Sequence, residues 1–301
     1  MTDYGHDLLF GAFVTPTVEP VMHAVDLAVT ADQAGLDLVT FQDHPYQSRF
    51  HDTWTLISYV ASRTRQIHIS GNVINLPLRQ PAVLARSVAS LDLLSGGRVE
   101  LGIGAGGFWD AIEAMSGRRL SPGQSIDALE EAIEIIREIW DADKVGGVRV
   151  KGKYYQVNGS KRGPAPAHKV GIWVGAYKPR ILRMTGRAAD GWLPSLAYLP
   201  GGASDLAEMN QYIDEGATAA GRNPSDIRRL LNIGGQFTQN RRSFLSGTPQ
   251  QWAEDLAELT LTYGISGFIL AADDAPTIQL FASEVAPATR EIVNAARVRS
   301  R

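Results

Sequence analysis

The chain has 301 residues, no cysteine, a formal net charge of -3 and 44% hydrophobic residues. Without cysteine it has neither disulfides nor thiolate chemistry, its scattered Arg and Lys leave no electrostatic footprint for nucleic acid, and no apolar run approaches the ~20 residues that span a bilayer. The amino-terminal MTDYGHDLLFGAF has no basic stretch ahead of an apolar one, so a signal peptide is not expected and the default compartment is the cytoplasm.

Leu8 to Val14 reads as a first strand ending at Thr15-Pro16, and Pro20 to Ala34 carries helical spacing until Gly35 stops it. Asp37 to Phe41 is the second strand. It runs into Gln42-Asp43-His44-Pro45, after which Asp52 caps a helix from Thr53 to about Ser62. The third strand, Ile67 to Ile74, is rich in β-branched residues and ends in Asn72-Val73-Ile74-Asn75. Proline at the first turn opens a helix over Pro81 to Leu94, Ser95-Gly96-Gly97 closes it, and the fourth strand, Arg98 to Ile103, runs into Gly104-Ala105-Gly106-Gly107. A parallel pair joined by so short a crossover belongs to a sheet buried on both faces.

A polar, glycine-containing loop leads to the strongest helix, Ser125 to Ala142, whose Ile126, Leu129, Ile133, Ile136, Ile139 and Trp140 form one apolar stripe. A hairpin-like insertion over Val148 to Val157 follows. Val170 to Gly175 is strand five, Lys178 to Arg187 its helix, and Asp190 to Pro194 a short sixth strand. Then come a helix from about Ser204 to Ala220, strand seven over Arg229 to Ile233, a helix over Pro249 to Tyr263 capped by Thr248, strand eight over Gly267 to Ala271, and a closing helix from Thr277 to Arg297. Eight strands alternating with helices fit an α/β fold, a (β/α)8 TIM barrel with insertions after strand four and around residues 236–248. With no repeat or linker, residues 1–301 read as one domain.

Ligands of such barrels bind at the carboxyl ends of the strands, where Asp43-His44, Asn72-Val73 and the glycine loop after strand four would converge. Gly102-Ile103-Gly104-Ala105-Gly106-Gly107 satisfies GxGxxG, but it follows the fourth strand, opens no helix and has no acid ending the next strand, so it is not a dinucleotide fingerprint. Its glycines are expected to let a cofactor approach the backbone. His6, His23, His51, His68 and His168 show no paired ligand spacing, so no metal is expected, and a barrel hydrolase, which would need one, is a remote reading. There is no GxSxG context for a serine nucleophile. Trp109, in the loop after strand four, and Tyr46, in the loop after strand two, are candidates to line a substrate pocket.

LDLVTFQDH, SGNVINLPLRQPAVLAR, LDLLSGGRVELGIGAG, ALEEAIEIIREIW, IWVGAYKPRILRMTGRAADGW and GRNPSDIRR, in this order and spacing, resemble the bacterial luciferase-like flavin and deazaflavin oxidoreductases. The resemblance covers most of the chain and implies the same barrel. It places the cofactor ring over a bulge after strand three holding a non-proline cis peptide, here Asn72-Val73, with Ile74 beside it. Asp43-His44 is similar to the pair of the coenzyme F420-dependent branch, where the histidine sits by the reacting carbon of the deazaflavin; an imidazole with an unperturbed pKa near ~6.5 suits proton transfer, the adjacent acid could tune it, and the resemblance makes both His44 and Asp43 candidates to carry that proton. Gly175-Ala176-Tyr177-Lys178 resembles the family's phosphate-binding loop, and Gly104 and Ala105 would also meet the cofactor. Glucose-6-phosphate dehydrogenase members carry a glutamate where Gly107 stands, a departure that argues against sugar-phosphate oxidation.

The resemblance thus implies an oxidoreductase that uses coenzyme F420 to move a hydride to or from a small organic substrate. Two alternatives stay open: an FMN-dependent monooxygenase using reduced flavin and oxygen, and a barrel that binds flavin or deazaflavin without turnover. Implied partners are a small-molecule substrate, a separate reductase or dehydrogenase supplying reduced cofactor, and a second copy packed through helices near strands two and three. No partner of the nucleic-acid or membrane kind is expected.

Overall fold

The computed structural model describes residues 3–299. Met1 and Thr2, with which the signal-peptide reading begins, and Ser300 and Arg301, which close the 1–301 domain reading, lie outside the described residues. Eight strands form a closed parallel ring: β1 (Leu9–Val14), β2 (Leu38–Phe41), β3 (His68–Gly71), β4 (Val99–Gly104), β5 (Ile172–Val174), β6 (Gly191–Trp192), β7 (Arg228–Ile233) and β8 (Gly267–Ala271). Each pairs in parallel with its sequence neighbours, β1 with β8 at Leu9–Gly267, and β3 with β4 at Ile69–Val99 and Ser70–Glu100. The fold is an α/β TIM barrel, and its ring closes between β3 and β4, the two strands of the predicted βαβ unit.

Strand alternation divides the apolar residues into two cores. Phe10, Ala12, Val39, Ile69, Leu101, Ile172, Leu231 and Phe268 face outward into the large cluster shared with the helices. Leu38, Trp173, Leu193, Leu230 and Ile269, with Phe13 and Val73 against them, fill the inside of the ring. A plug of side chains therefore separates the two mouths of the barrel, and a site at one mouth has no path through the centre to the other.

The helices follow local signals closely. They are α1 (His23–Gln33), α2 (Thr53–Arg63), α3 (Pro81–Ser95), α4 (Trp109–Ala114), α5 (Pro122–Trp140), α6 (Pro179–Ala188), α7 (Asp205–Ala219), α8 (Pro249–Tyr263), α9 (Ala275–Leu280) and α10 (Ala286–Arg299). Asp52 Oδ1 accepts from Thr55 N at 2.9 Å to start α2. Thr248 and Gln251 form a reciprocal capping box that starts α8, and Gly264 in the left-handed region ends it. The insertion after β4 contains the hairpin of Val148–Lys151 with Gln156–Ser160, and a parallel pair, Gln236–Phe237 with Ser246–Gly247, borders the second insertion.

Three expectations are corrected. The strand over Ile67 to Ile74 is two pieces, β3 and Ile74–Asn75, separated by Asn72-Val73; the second piece re-pairs with β4 at Ile74–Ile103 and Asn75–Gly104. The polar loop after β4 holds α4, too short for a periodic signal. The closing helix begins at Ala275 and widens into a π-turn over Phe281–Val285 before α10.

Candidate active site at the carboxyl end of the barrel

The break in β3 shapes this mouth. The Asn72-Val73 peptide is cis. Asn72 N donates to Phe41 O at 2.7 Å, and its side-chain amide pairs reciprocally with that of Asn232 at the end of β7 (2.6 and 3.1 Å) while also donating to Thr40 Oγ1 (3.2 Å). Asn232 in turn donates to Ser195 Oγ at 3.1 Å. A polar brace therefore crosses the barrel from the bulge to the opposite wall. Neither Asn232 nor Ser195 was singled out by the sequence; the available signal was a polar residue at an inward position of an otherwise apolar strand.

The glycines after β4 make room for protein before they make room for anything else. A Cβ on Gly102 would lie 2.1 Å from Gly71 O, one on Gly104 would lie 2.6 Å from Val73 Cγ2, and one on Gly106 would lie 2.7 Å from Pro77 Cγ and 3.0 Å from the Trp109 ring. Val73 also reaches within 3.5 Å of the corresponding point on Gly175. The Cβ side of Gly102 is thus taken up by Gly71 of β3, that of Gly104 by Val73 of the bulge, and that of Gly106 by Pro77 and Trp109. Gly107 and Gly234 have no atom within 4 Å of that point and face open space. Gly104 is buried and Ala105 half-buried beside them.

Asp43 and His44, adjacent in sequence, are put to separate uses. Asp43 is 1% exposed, and its carboxylate accepts from Asn75 N (2.9 Å), Arg79 Nε (3.2 Å) and Arg79 Nη2 (2.8 Å). Arg79 Nη2 also reaches Asp52 Oδ2 at 2.7 Å, so one guanidinium ties the loop after β2, the start of α2 and the end of the bulge together. Arg79 was not picked out in the sequence. His44 has no hydrogen-bond partner for its ring among the described residues; it stacks on Tyr46 (centroids 5.4 Å, 18°) and meets Phe108 edge-on (5.3 Å, 70°). Burial holds the His44 pKa below its ordinary value, opposed in part by the Asp43 charge, so the ring is neutral near pH 7.

Phe108, 61% exposed, rather than Trp109, supplies the aromatic wall beside His44. Trp109 starts α4 and folds its half-buried ring toward Gly106 at the rim of this mouth. Two polar atoms at this end are buried without a partner among the described residues, Tyr46 Oη and Asn75 Oδ1. Such atoms cost about 1–3 kcal/mol each when left unsatisfied, and they are the kind of feature that a polar ligand repairs.

On the far side of the mouth, Gly175-Ala176-Tyr177-Lys178 joins β5 to α6. Trp192 Nε1 donates to Ala176 O at 2.9 Å, and Tyr177 Oη accepts from Ser195 N at 2.8 Å, its pKa raised by burial. The backbone N–H groups of Ala176, Tyr177 and Lys178 have no partner among the described residues, and Lys178, exposed at the cap of α6, pairs with no acid there. Free N–H groups at a helix start beside a free ammonium suit an anion.

The sequence model for the luciferase-like monooxygenases matches residues 5–242. The chain belongs to that family. It is 33% identical to an F420-dependent glucose-6-phosphate dehydrogenase of Amycolatopsis mediterranei over 76% of this chain and 69% of that protein. It is 30% identical to one of Mycolicibacterium fortuitum over 69% of this chain and 63% of that protein, so the chain matches about two thirds of these relatives' length. Among solved structures, an F420-dependent secondary alcohol dehydrogenase in complex with an F420-acetone adduct superposes with a TM-score of 0.82 at 20% identity, covering 94% of this chain and 99% of that one. No helix of the described residues is long and apolar enough to cross a membrane.

Proposed function

We propose that this protein is an oxidoreductase that binds coenzyme F420 at the carboxyl end of the barrel and moves a hydride to or from a small organic substrate, with His44 transferring the accompanying proton. The observation that carries the reading is the His44 ring, neutral, half-buried and, among the described residues, without a hydrogen-bond partner between Tyr46 and Phe108. The names of the 33%- and 30%-identical relatives support F420 over FMN.

The residues present fit such a cofactor. Among the described residues, Tyr46 Oη and Asn75 Oδ1 offer buried, unpaired polar atoms that would suit its ring system, and Asn72, Val73 and Ile74 would hold that ring. Ala176, Tyr177 and Lys178 offer N–H groups and a cation for its phosphate. When bound, the deazaflavin supplies two-electron hydride acceptance or donation. The chain does the rest. Its bulge, held by the Asn72–Asn232 amide pair, fixes the floor, and Phe108 and Tyr46 exclude water from one side of His44. As a hydride leaves an alcohol carbon, the neutral His44 imidazole takes the hydroxyl proton; in the reverse direction the imidazolium returns it to the forming alkoxide. Asp43 does not relay that proton. Locked to Arg79 and Asn75 N, it is a positioning residue whose charge favours the imidazolium.

Gly107, facing open space where the sugar-phosphate dehydrogenases resembled here carry a glutamate, together with the aromatic wall, supports an uncharged alcohol, imine or activated alkene rather than a sugar phosphate. We further place the protein in the cytoplasm as one domain with its reduced cofactor supplied by a separate enzyme. A homodimer would meet through α2 and α3, where Tyr59, Val83 and Leu94 are 47%, 65% and 85% exposed; sedimentation at a single-chain mass would overturn that contact.

Equilibrium titration of the apoprotein with oxidised F420 and with FMN, followed by turnover of alcohols and of glucose 6-phosphate, tests the reading. Tight F420 binding with alcohol turnover supports it. Tight binding of FMN alone redirects the search to oxygen-dependent chemistry, and F420 binding without any turnover leaves a carrier barrel.

A further inference from the structure

The opposite mouth of the barrel opens into a cavity of about 700 Å³ lined by His6, Asp37, His68, Glu100, Lys169 and Arg228 among others. His68 and Glu100 are inward residues at the first turns of β3 and β4, and His168 lies just before β5. Widely separated in sequence, they meet because neighbouring strands begin at one level. His68 Nδ1 lies 3.4 Å from Glu100 Oε1, and His168 Nε2 lies 3.4 Å from the same oxygen. All three ligand atoms are within 4.8 Å of one another.

These separations fit a shared metal better than a hydrogen bond. An N–H···O contact centres on about 2.9–3.0 Å. Ligands at about 2.0–2.2 Å from a tetrahedral ion lie roughly 3.3–3.6 Å apart, the edge of the tetrahedron. Glu100 Oε2 accepts from Gly171 N at 2.6 Å, which fixes the carboxylate and leaves Oε1 aimed at both imidazoles. His168 Nδ1 lies 3.0 Å from Asp92 Oδ1, and Asp92, fully buried, is itself held by Val99 N and Ala167 N. A carboxylate on the far nitrogen fixes the tautomer that exposes Nε2, as second partners of metal-bound histidines do. Asp92 and Glu100 together match the charge of a divalent ion held by neutral imidazoles. Arg228, the guanidinium in the same cavity, donates instead to Asp7 O at 2.7 Å.

We propose that His68, Glu100 and His168 form a binding site for a divalent transition metal of the zinc class, with Asp92 as the positioning residue of His168 and the fourth coordination position open to the cavity. The side chains of His68, His168 and Glu100 are 40%, 29% and 13% exposed, which gives an ion a route in from solvent. Two imidazoles and one carboxylate select zinc, cobalt, nickel or copper over calcium and magnesium. The ion would clasp β3, β4 and the approach to β5 at the base of the seam, on the side of the plug away from the cofactor mouth.

The test uses the untagged full-length protein, stripped with chelator and titrated calorimetrically with ZnCl2, alongside the Co²⁺-loaded form read by its visible d–d absorption. One equivalent of zinc and a tetrahedral cobalt spectrum are expected. His68→Gln should weaken zinc binding at least tenfold and abolish that spectrum; its Nδ1 faces only Glu100, so the fold, checked by circular dichroism, should persist. Glu100→Gln, which keeps an acceptor for Gly171 N, provides the second variant should the first lose its fold. Failure of zinc to bind stoichiometrically, or binding unchanged in both variants, overturns the proposal.

Discussion

At the carboxyl mouth His44 has two aromatic neighbours and, among the described residues, no hydrogen-bond partner, and burial pulls its pKa down; at the amino mouth His168 sits between Glu100 and Asp92, whose carboxylates outweigh its burial and push its pKa up to about 9. The same side chain is kept neutral and unengaged at one end, and cationic and fully engaged at the other whenever a proton rather than an ion occupies the cluster. The difference lies in what surrounds each ring. Apolar surroundings penalise the charged form, and paired carboxylates reward it. Asp43, next to His44 in sequence, follows the pattern of the lower mouth: its oxygens are taken up by Arg79 and a backbone N–H. A reactive group and the group that holds it in place thus follow one another in the chain while obeying opposite electrostatics.

The largest effect should come from the unengaged histidine. His44→Ala is expected to lower kcat by about 10²–10⁴ while cofactor affinity stays within a few-fold and stability falls by about 1 kcal/mol or less. Steady-state turnover with F420, a binding titration and urea unfolding on one preparation check all three. A variant that turns over normally would mean that the ring is pocket wall rather than proton carrier.

Asp43→Ala should invert that profile. It leaves Arg79 with only the half-exposed Asp52 and strips Asn75 N of its acceptor, so a loss of about 3–5 kcal/mol of stability is expected from breaking a buried pair. Urea unfolding measures it, and a loss under 1 kcal/mol would show that the Asp43–Arg79 clamp does not hold the loop. Gly102→Ala comes next at about 1–3 kcal/mol, because its new Cβ would lie 2.1 Å from a carbonyl oxygen rather than from a movable side chain. Lys178→Ala should weaken binding of the phosphorylated cofactor by roughly tenfold, the size of one lost charge-assisted hydrogen bond. It should leave binding of a phosphate-free analogue unchanged; equal losses for both would remove Lys178 from the anion site.

What the sequence made legible divides along similar lines. Elements fixed by neighbours in the chain were readable: α8, with Thr248 and Gln251 at one end and Gly264 at the other, and β8 right after it. Strand order and closure followed from the alternation. Features that depend on distant partners were not readable. Asp43 reads as a tuner of His44, and its charge does act on that ring; that Arg79, far along the chain, also locks its carboxylate in place was not readable. The glycines at the end of β4 read as room for a ligand; that Val73 of the bulge fills the Cβ side of Gly104 was not readable. His68, Glu100 and His168 have no mutual spacing because two neighbouring strands and the approach to a third bring them together; the one trace was a polar residue at an inward position of β3 and β4, which Asn232 shares on β7. Phe108 and Trp109 are adjacent aromatics, and the turn into α4 decides which one faces His44.

The smallest expected effect is also the sharpest on why the two histidines differ. Burial lowers the His44 pKa in the folded protein relative to about 6.5 in the unfolded chain. As pH falls below about 6.5, the unfolded state takes up a proton that the folded ring still refuses, so this group's contribution to stability declines only in the window between 6.5 and the lower folded value, and is constant above it. For alcohol oxidation the neutral ring is the competent form. Hence kcat/KM should be flat above 6.5 and should fall along an acid limb centred below 6.5. Phe108→Ala removes part of the apolar cover without touching Asp43, so the limb should move up toward 6.5 as the ring becomes hydrated. If it moved down, loss of cover would not be the controlling change. If it stayed in place, desolvation by the aromatic wall would not set the upper histidine's protonation, and the contrast with His168 would have to rest on the carboxylates alone.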